Sequence, residues 1–161
     1  MRAVLDTNVL VSALIRGRKP RRLLKALSDP PNTLIISEAI IEEFSRVTAD
    51  YKIRRYVDDD DASAFMGTLL SKATFVRLES AVKIFDDPDD EVLTTAKDGG
   101  ADLIVTGDRH MIELRRFGRI RILTIDDALL ILKRQKGGSL TRQPRRPRGR
   151  TRKETSRDSP T

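Results

Sequence analysis

Ala3-Val4-Leu5-Asp6-Thr7-Asn8 opens with an apolar run and ends it in an acid. Such a run reads as a buried strand, and the three residues after it are good helix N-caps. A second stretch repeats the pattern: Leu103-Ile104-Val105-Thr106-Gly107-Asp108 is again an apolar run ending in a carboxylate. Thr33–Ile36, Thr74–Leu78 and Arg121–Ile125 supply three further strands between helical patterns. The helices are expected near Asn8–Ile15, Pro20–Leu27, Ser37–Val47, Asp58–Lys72, Asp89–Lys97, His110–Arg115 and Asp126–Gln135. Strands alternating with helices imply an α/β fold, a mostly parallel sheet flanked by helices on both faces. In such a sheet the strand ends meet in one crevice.

Two more acidic positions belong to this argument. Glu43 lies on the third expected helix, beside the stripe set by Ile40, Phe44 and Val47, and Glu42 is turned about 100° away. The run Asp86-Asp87-Pro88-Asp89-Asp90-Glu91 holds five acids ahead of a helix, more than one cap needs. Asp90 ends the aspartates of this run and is taken as its candidate, with Asp87 and Glu91 close enough to compete. Each acid also has an ordinary reading: a cap for Asp6, a solvated ion pair with Arg46 for Glu43, a turn for Asp108. Taken together, carboxylates in one crevice repel and resist ionising together. Mg²⁺ or Mn²⁺, which prefer oxygen ligands, would relieve that repulsion.

Composition removes several alternatives. The 161 residues contain no Cys and one His, so thiol chemistry and Cys-rich or His-rich zinc sites fall away. Aromatic residues make up 4% of the chain, with no Trp, and base stacking on an aromatic platform is not expected. No apolar run approaches the length of a membrane span, and the start of the chain reads as a strand, not a signal segment. The cytoplasm is therefore the default compartment. The net charge of +7 is uneven: residues 137–161 hold eight basic and two acidic residues, and residues 1–136 hold 23 and 22. The expected organisation is a globular domain over residues 1–136 and a disordered Arg-rich tail over residues 137–161. Such tails bind nucleic acid non-specifically.

The order of these motifs resembles the PIN-domain family, in its prokaryotic branch of VapC-like ribonucleases from toxin–antitoxin pairs. Val4-Leu5-Asp6-Thr7-Asn8-Val9-Leu10-Val11-Ser12-Ala13 looks like the family's opening strand and loop. Ser37-Glu38-Ala39-Ile40-Ile41-Glu42-Glu43-Phe44 looks like the helix carrying its second acid. Asp87-Pro88-Asp89-Asp90-Glu91-Val92-Leu93 resembles its third acidic segment, and Gly100–Asp108 is close to its last signature. The resemblance covers about residues 2–132. It implies a PIN-like, Rossmann-like sheet and a metal-dependent endoribonuclease. Asp6, Glu43, Asp90 and Asp108 would hold Mg²⁺ or Mn²⁺, with Asn8 and Thr106 orienting ligands or waters. Arg16, Arg18, Lys19, Arg21, Arg22 and Arg109 are then candidates for RNA phosphates. An antitoxin protein and a homodimer are the implied partners, with residues 37–72 as a candidate interface.

Rival readings fit less well. A haloacid-type phosphatase would show Asp-x-Asp-x-Thr after the first strand, where this chain has Asp6-Thr7-Asn8-Val9-Leu10. A receiver domain would pair Asp6 with an adjacent acid and place a Lys after the last strand, and Ile125-Asp126 offers none. The remaining alternative is a PIN-fold module that binds RNA or an antitoxin without turnover.

Overall fold

The computed structural model describes residues 1–15, 17–86 and 88–139. Six strands form one sheet: β1 (Arg2–Leu5), β2 (Thr33–Ile36), β3 (Thr74–Phe75), β4 (Leu103–Val105), β5 (Arg116–Phe117) and β6 (Ile120–Leu123). Their order across the sheet is β3-β2-β1-β4-β6-β5. All neighbours run parallel except β5, which pairs antiparallel with β6. Among the described residues the helices are α1 (Thr7–Ile15), α2 (Arg18–Ser28), α3 (Glu38–Ala49), α4 (Tyr51–Arg54), α5 (Asp59–Lys72), α6 (Asp89–Asp98), α7 (Arg109–Leu114) and α8 (Ile125–Ser139).

The central strands are apolar throughout because both faces are covered. Ala3, Val4 and Leu5 of β1, Leu34, Ile35 and Ile36 of β2, and Leu103, Ile104 and Val105 of β4 are all buried, as expected of parallel strands between helix layers. From β1 the chain steps outward to β2 and β3, then returns across the sheet to β4 and β6. Right-handed crossovers in opposite directions put α2 and α6 on opposite faces. The reversal falls between β1 and β4, whose register pairs Leu5 with Val105. The residues just past those two positions therefore share the crevice at the carboxyl edge, where ligands bind in open α/β sheets.

Several boundaries differ from the sequence expectation for local reasons. β3 stops at Phe75: Val76 N–H still donates to the Ile36 carbonyl at 2.8 Å, but Glu79 and Ser80 N–H then donate to the Asp98 carboxylate at 2.7 and 2.9 Å. That draws the backbone off the sheet and onto α6. β6 ends at Leu123 because the Thr124 side chain accepts from Asp127 N–H at 3.2 Å and starts α8. The hairpin that makes β5 turns through Gly118, whose φ of 59° favours glycine. At the end of α6, a side chain on Gly99 would meet Ile35 Cγ2 at 2.7 Å, so only glycine lets that helix close on β2. α8 runs through Gly137 and Gly138 to Ser139, past the expected start of the tail. The rest of the tail, residues 140–161, lies outside the described residues. No helix among the described residues is long and apolar enough to cross a membrane.

Candidate active site

Asp6 is the first residue past β1. Its N–H donates to the Val105 carbonyl at 2.9 Å, which extends the β1–β4 ladder by one step. Its carbonyl accepts from Val9 and Leu10 N–H and so starts α1. The carboxylate turns toward β4, where Oδ2 accepts the Thr106 hydroxyl at 2.6 Å. Asp6 is only 5% exposed. Burial pushes its carboxyl above the ordinary range, and Asp108 and Glu43 push the same way; the bond from Thr106 opposes them.

Thr106 ties the two strand ends together. Its buried hydroxyl donates to Asp6 and accepts Asp108 N–H at 2.9 Å. Asp108 then caps α7, its Oδ1 accepting His110 N–H at 2.8 Å. The ordinary reading of Asp108 is a turn; its Oδ1 caps α7, and the residue sits in the crevice beside Asp6. Asn8 Oδ1 accepts Gly107 N–H at 3.3 Å and holds the same turn from the other side. His110 lies on the outer rim, its Nδ1 3.4 Å from Asp108 Oδ1 and its side chain 80% exposed.

Glu43 reaches the cluster from α3. Ser37 caps this helix and shares a 2.7 Å hydrogen bond with Thr95 of α6. Thr95 gives its own proton to the Glu91 carbonyl at 2.7 Å, so Ser37 is the donor, and α3 and α6 are locked side by side. Glu42 is exposed, whereas Glu43 is half-buried and within electrostatic reach of Asp6. Arg46, one turn on, places Nη2 at 2.5 Å and Nε at 3.1 Å from Glu43 Oε2.

The third acid is where the structure and the sequence reading part. Asp90 is buried, but its Oδ1 accepts Ile84 N–H at 3.0 Å and Phe85 N–H at 2.7 Å. That oxygen holds the segment before α6. Its neighbour Asp89 is the group that shares the crevice. Burial, then the charges of Asp108, Asp6 and Asp90, push the Asp89 carboxyl up to about 6, with His110 opposing. Nothing in the acidic run alone singled out Asp89. Asp87, the other contender, lies outside the described residues, and Glu91 offers its carbonyl to Thr95.

A family model of the PIN domain matches residues 2–110, which span every acid of this crevice. The chain belongs to the PIN domain family. Its fold is similar to a chain in the crystal structure of VapBC2 from Rickettsia felis bound to a DNA fragment from their promoter. That match has a TM-score of 0.56 and 18% identity, covering 77% of this chain and 98% of that one. A PilT N-terminus domain protein from the archaeon Sulfolobus solfataricus P2 matches with a TM-score of 0.47 and 20% identity, over 82% of this chain and 93% of that one. No curated protein matches. PIN domains are generally metal-dependent nucleases.

The cation question can be put to the residues themselves. Among the described residues, no three Asp, Glu or His side chains are already arranged as a ligand set. The side-chain partners explain this: Arg46 holds Glu43, the loop amides hold Asp90, and His110 N–H takes Asp108 Oδ1. The donor chemistry nevertheless fits a hard cation. The carboxyls of Asp6 and Asp89 are raised first by burial and then by the charges of neighbouring acids, the situation a hard cation with oxygen ligands would relieve.

The basic residues expected to meet RNA are spread out. Arg18 and Arg109 are exposed, Arg109 directly after Asp108. Lys19 pairs with Asp126 at 2.8 Å. Arg21 donates to the Ala13 and Leu14 carbonyls at 2.6 and 3.1 Å and so caps α1. Arg16 lies outside the described residues.

Proposed function

We propose that this PIN domain protein is a Mg²⁺- or Mn²⁺-dependent endoribonuclease of the VapC type, acting in the cytoplasm. The observation that carries the proposal is the acid cluster at the β1–β4 switch point, with Asp6 and Asp108 joined through one threonine hydroxyl. Asp6, Glu43, Asp89 and Asp108 would hold the cation, Asp89 taking the place first read for Asp90. A bound divalent ion supplies a water of lowered pKa and spreads the charge of the phosphate. The chain's own residues prepare the place for it. Thr106 fixes Asp6 and leaves it acceptor-only when ionised. Asn8 and Thr106 hold the turn that presents Asp108, so these carboxylates need little reorganisation. Ser37 and Thr95 set α3 against α6 and so fix the backbone positions of Glu43 and Asp89. Arg18 and Arg109 are the exposed cations placed to meet RNA, and the Arg-rich tail adds a non-specific attraction. The printed name of the Rickettsia structure motivates the partner: an antitoxin protein would accompany this chain, itself a homodimer.

Purified protein should cleave single-stranded RNA with Mg²⁺ or Mn²⁺ and stop when chelated. Cleavage that persists in EDTA would overturn the metal mechanism. RNA binding without cleavage under any divalent ion would leave a binding module in its place.

A further inference from the structure

Among the described residues, Arg46 of α3 is an arginine in direct contact with an acid of the cluster, Glu43. Both Nε and Nη2 of Arg46 bear on a single oxygen of Glu43, Oε2, at 3.1 and 2.5 Å. The two partners are unequally placed: the Glu43 side chain is 19% exposed and that of Arg46 64%. Glu43 thus lies mostly within the crevice wall, and Arg46 approaches it from the solvent side. Glu42 and Glu91 also lie in the field of the guanidinium, so Arg46 remains among carboxylates wherever it moves on this surface. Exposed i, i+3 pairs are weak and easily exchanged.

We propose that Arg46 is a built-in counter-cation for Glu43, one that a divalent ion must displace from Oε2 before the acid cluster closes around it. Arg46 is therefore a positioning residue. It keeps Glu43 oriented and neutralised when no metal is present, and it lowers the apparent affinity for metal by competing for the same oxygen. The proposal rests on the assignment of Glu43 to the cation-binding set.

The test is Mn²⁺ binding to the full-length chain, followed by the electron paramagnetic resonance signal of free Mn²⁺, at fixed ionic strength and without RNA. Four proteins form a double-mutant cycle: the parent, Arg46→Ala, Glu43→Gln and the pair together. Thermal melts establish that each is folded. Arg46→Ala should bind Mn²⁺ roughly three- to five-fold more tightly, the factor that corresponds to losing one exposed ion pair. In the Glu43→Gln background the same change should have no effect. Arg46→Lys, with the charge but not the fork, should fall between. An equal gain in both backgrounds would show a general charge effect and overturn the proposal. If Glu43→Gln weakens Mn²⁺ binding but Arg46→Ala leaves it unchanged, Glu43 stands as a ligand and Arg46 is no competitor. If Glu43→Gln leaves Mn²⁺ binding unaltered, the assignment of Glu43 itself is wrong.

Discussion

Asp89 and Asp90 are adjacent, chemically identical and set to opposite work. Asp89 shares the crevice, where burial first and then the charges of Asp108 and Asp6 raise its pKa. Asp90 begins a different stripe of α6, continued by Thr94 and Asp98. Each member of that stripe accepts backbone N–H groups from the preceding segment: Asp90 from Ile84 and Phe85, Thr94 from Val82 at 3.1 Å, and Asp98 from Glu79 and Ser80. The segment descends antiparallel to the helix, and side chains at i, i+4 and i+8 replace the strand it does not have. One face of α6 sets Asp89 among other acids, and the other spends its oxygens on structure. The two carboxylates differ in their surroundings: backbone amides donate to Asp90, and Asp89 lies among fellow acids.

The largest effect expected of this contrast is on catalysis. Asp89→Asn should lower metal-dependent RNA cleavage by about 100-fold or more, the scale of losing one charge-stabilising group. Asp90→Asn keeps an oxygen for the two amides and should stay within a few-fold of the parent. Reversal of the two rates would return the third acidic role to Asp90 and break the comparison.

Stability should show the opposite ranking. Asp90→Ala leaves two part-buried N–H groups without their acceptor and should cost about 2–4 kcal/mol in chemical denaturation. Asp89→Ala should be neutral or stabilising in the metal-free protein. Equal losses for the two would mean that Asp89 also carries structure.

A subtler expectation concerns pH. The folded chain holds the protons of Asp6 and Asp89 more tightly than the unfolded chain does. Their stabilising contribution is complete below the ordinary carboxylate pKa of about 4. It is lost as pH rises through the folded values, which for Asp89 is about 6. The Tm advantage of Asp89→Asn over the metal-free parent should therefore widen from pH 4 to pH 7, and Mn²⁺ should narrow it by stabilising the parent. A constant difference across that range would deny the raised pKa.

The smallest effect belongs to the far end of the structural stripe. Bonds from Ser80 and Glu79 hold the Asp98 carboxyl below its usual range. Its contribution is present above the ordinary carboxylate pKa and lost as pH falls through the lowered folded value. Asp98→Ala should expose the Glu79 and Ser80 amides to faster hydrogen exchange at pH 7, with the difference from the parent closing in acid. Unchanged protection would mean that the segment is held by other contacts.

The sequence alone determined the frame. Two apolar runs ending in Asp6 and in Thr106-Gly107-Asp108 specify two buried strands with acids at one edge, because strand burial and strand termination are local properties. Ile40, Phe44 and Val47 likewise place Glu43 inward and Glu42 outward, since α3 is buried along one stripe only. The same reasoning fails on α6, where Val92, Leu93, Thr94, Thr95 and Ala96 are all buried in succession. A helix packed on one side against the sheet and on another against an extended segment has no single apolar phase to read. Which of Asp89 and Asp90 enters the crevice was therefore decided by the tertiary path of residues 79–85, whose amides claimed Asp90. The early end of β3 was decided the same way. Each depends on which donor reaches an oxygen across the fold, and that information lies in no local run of residues.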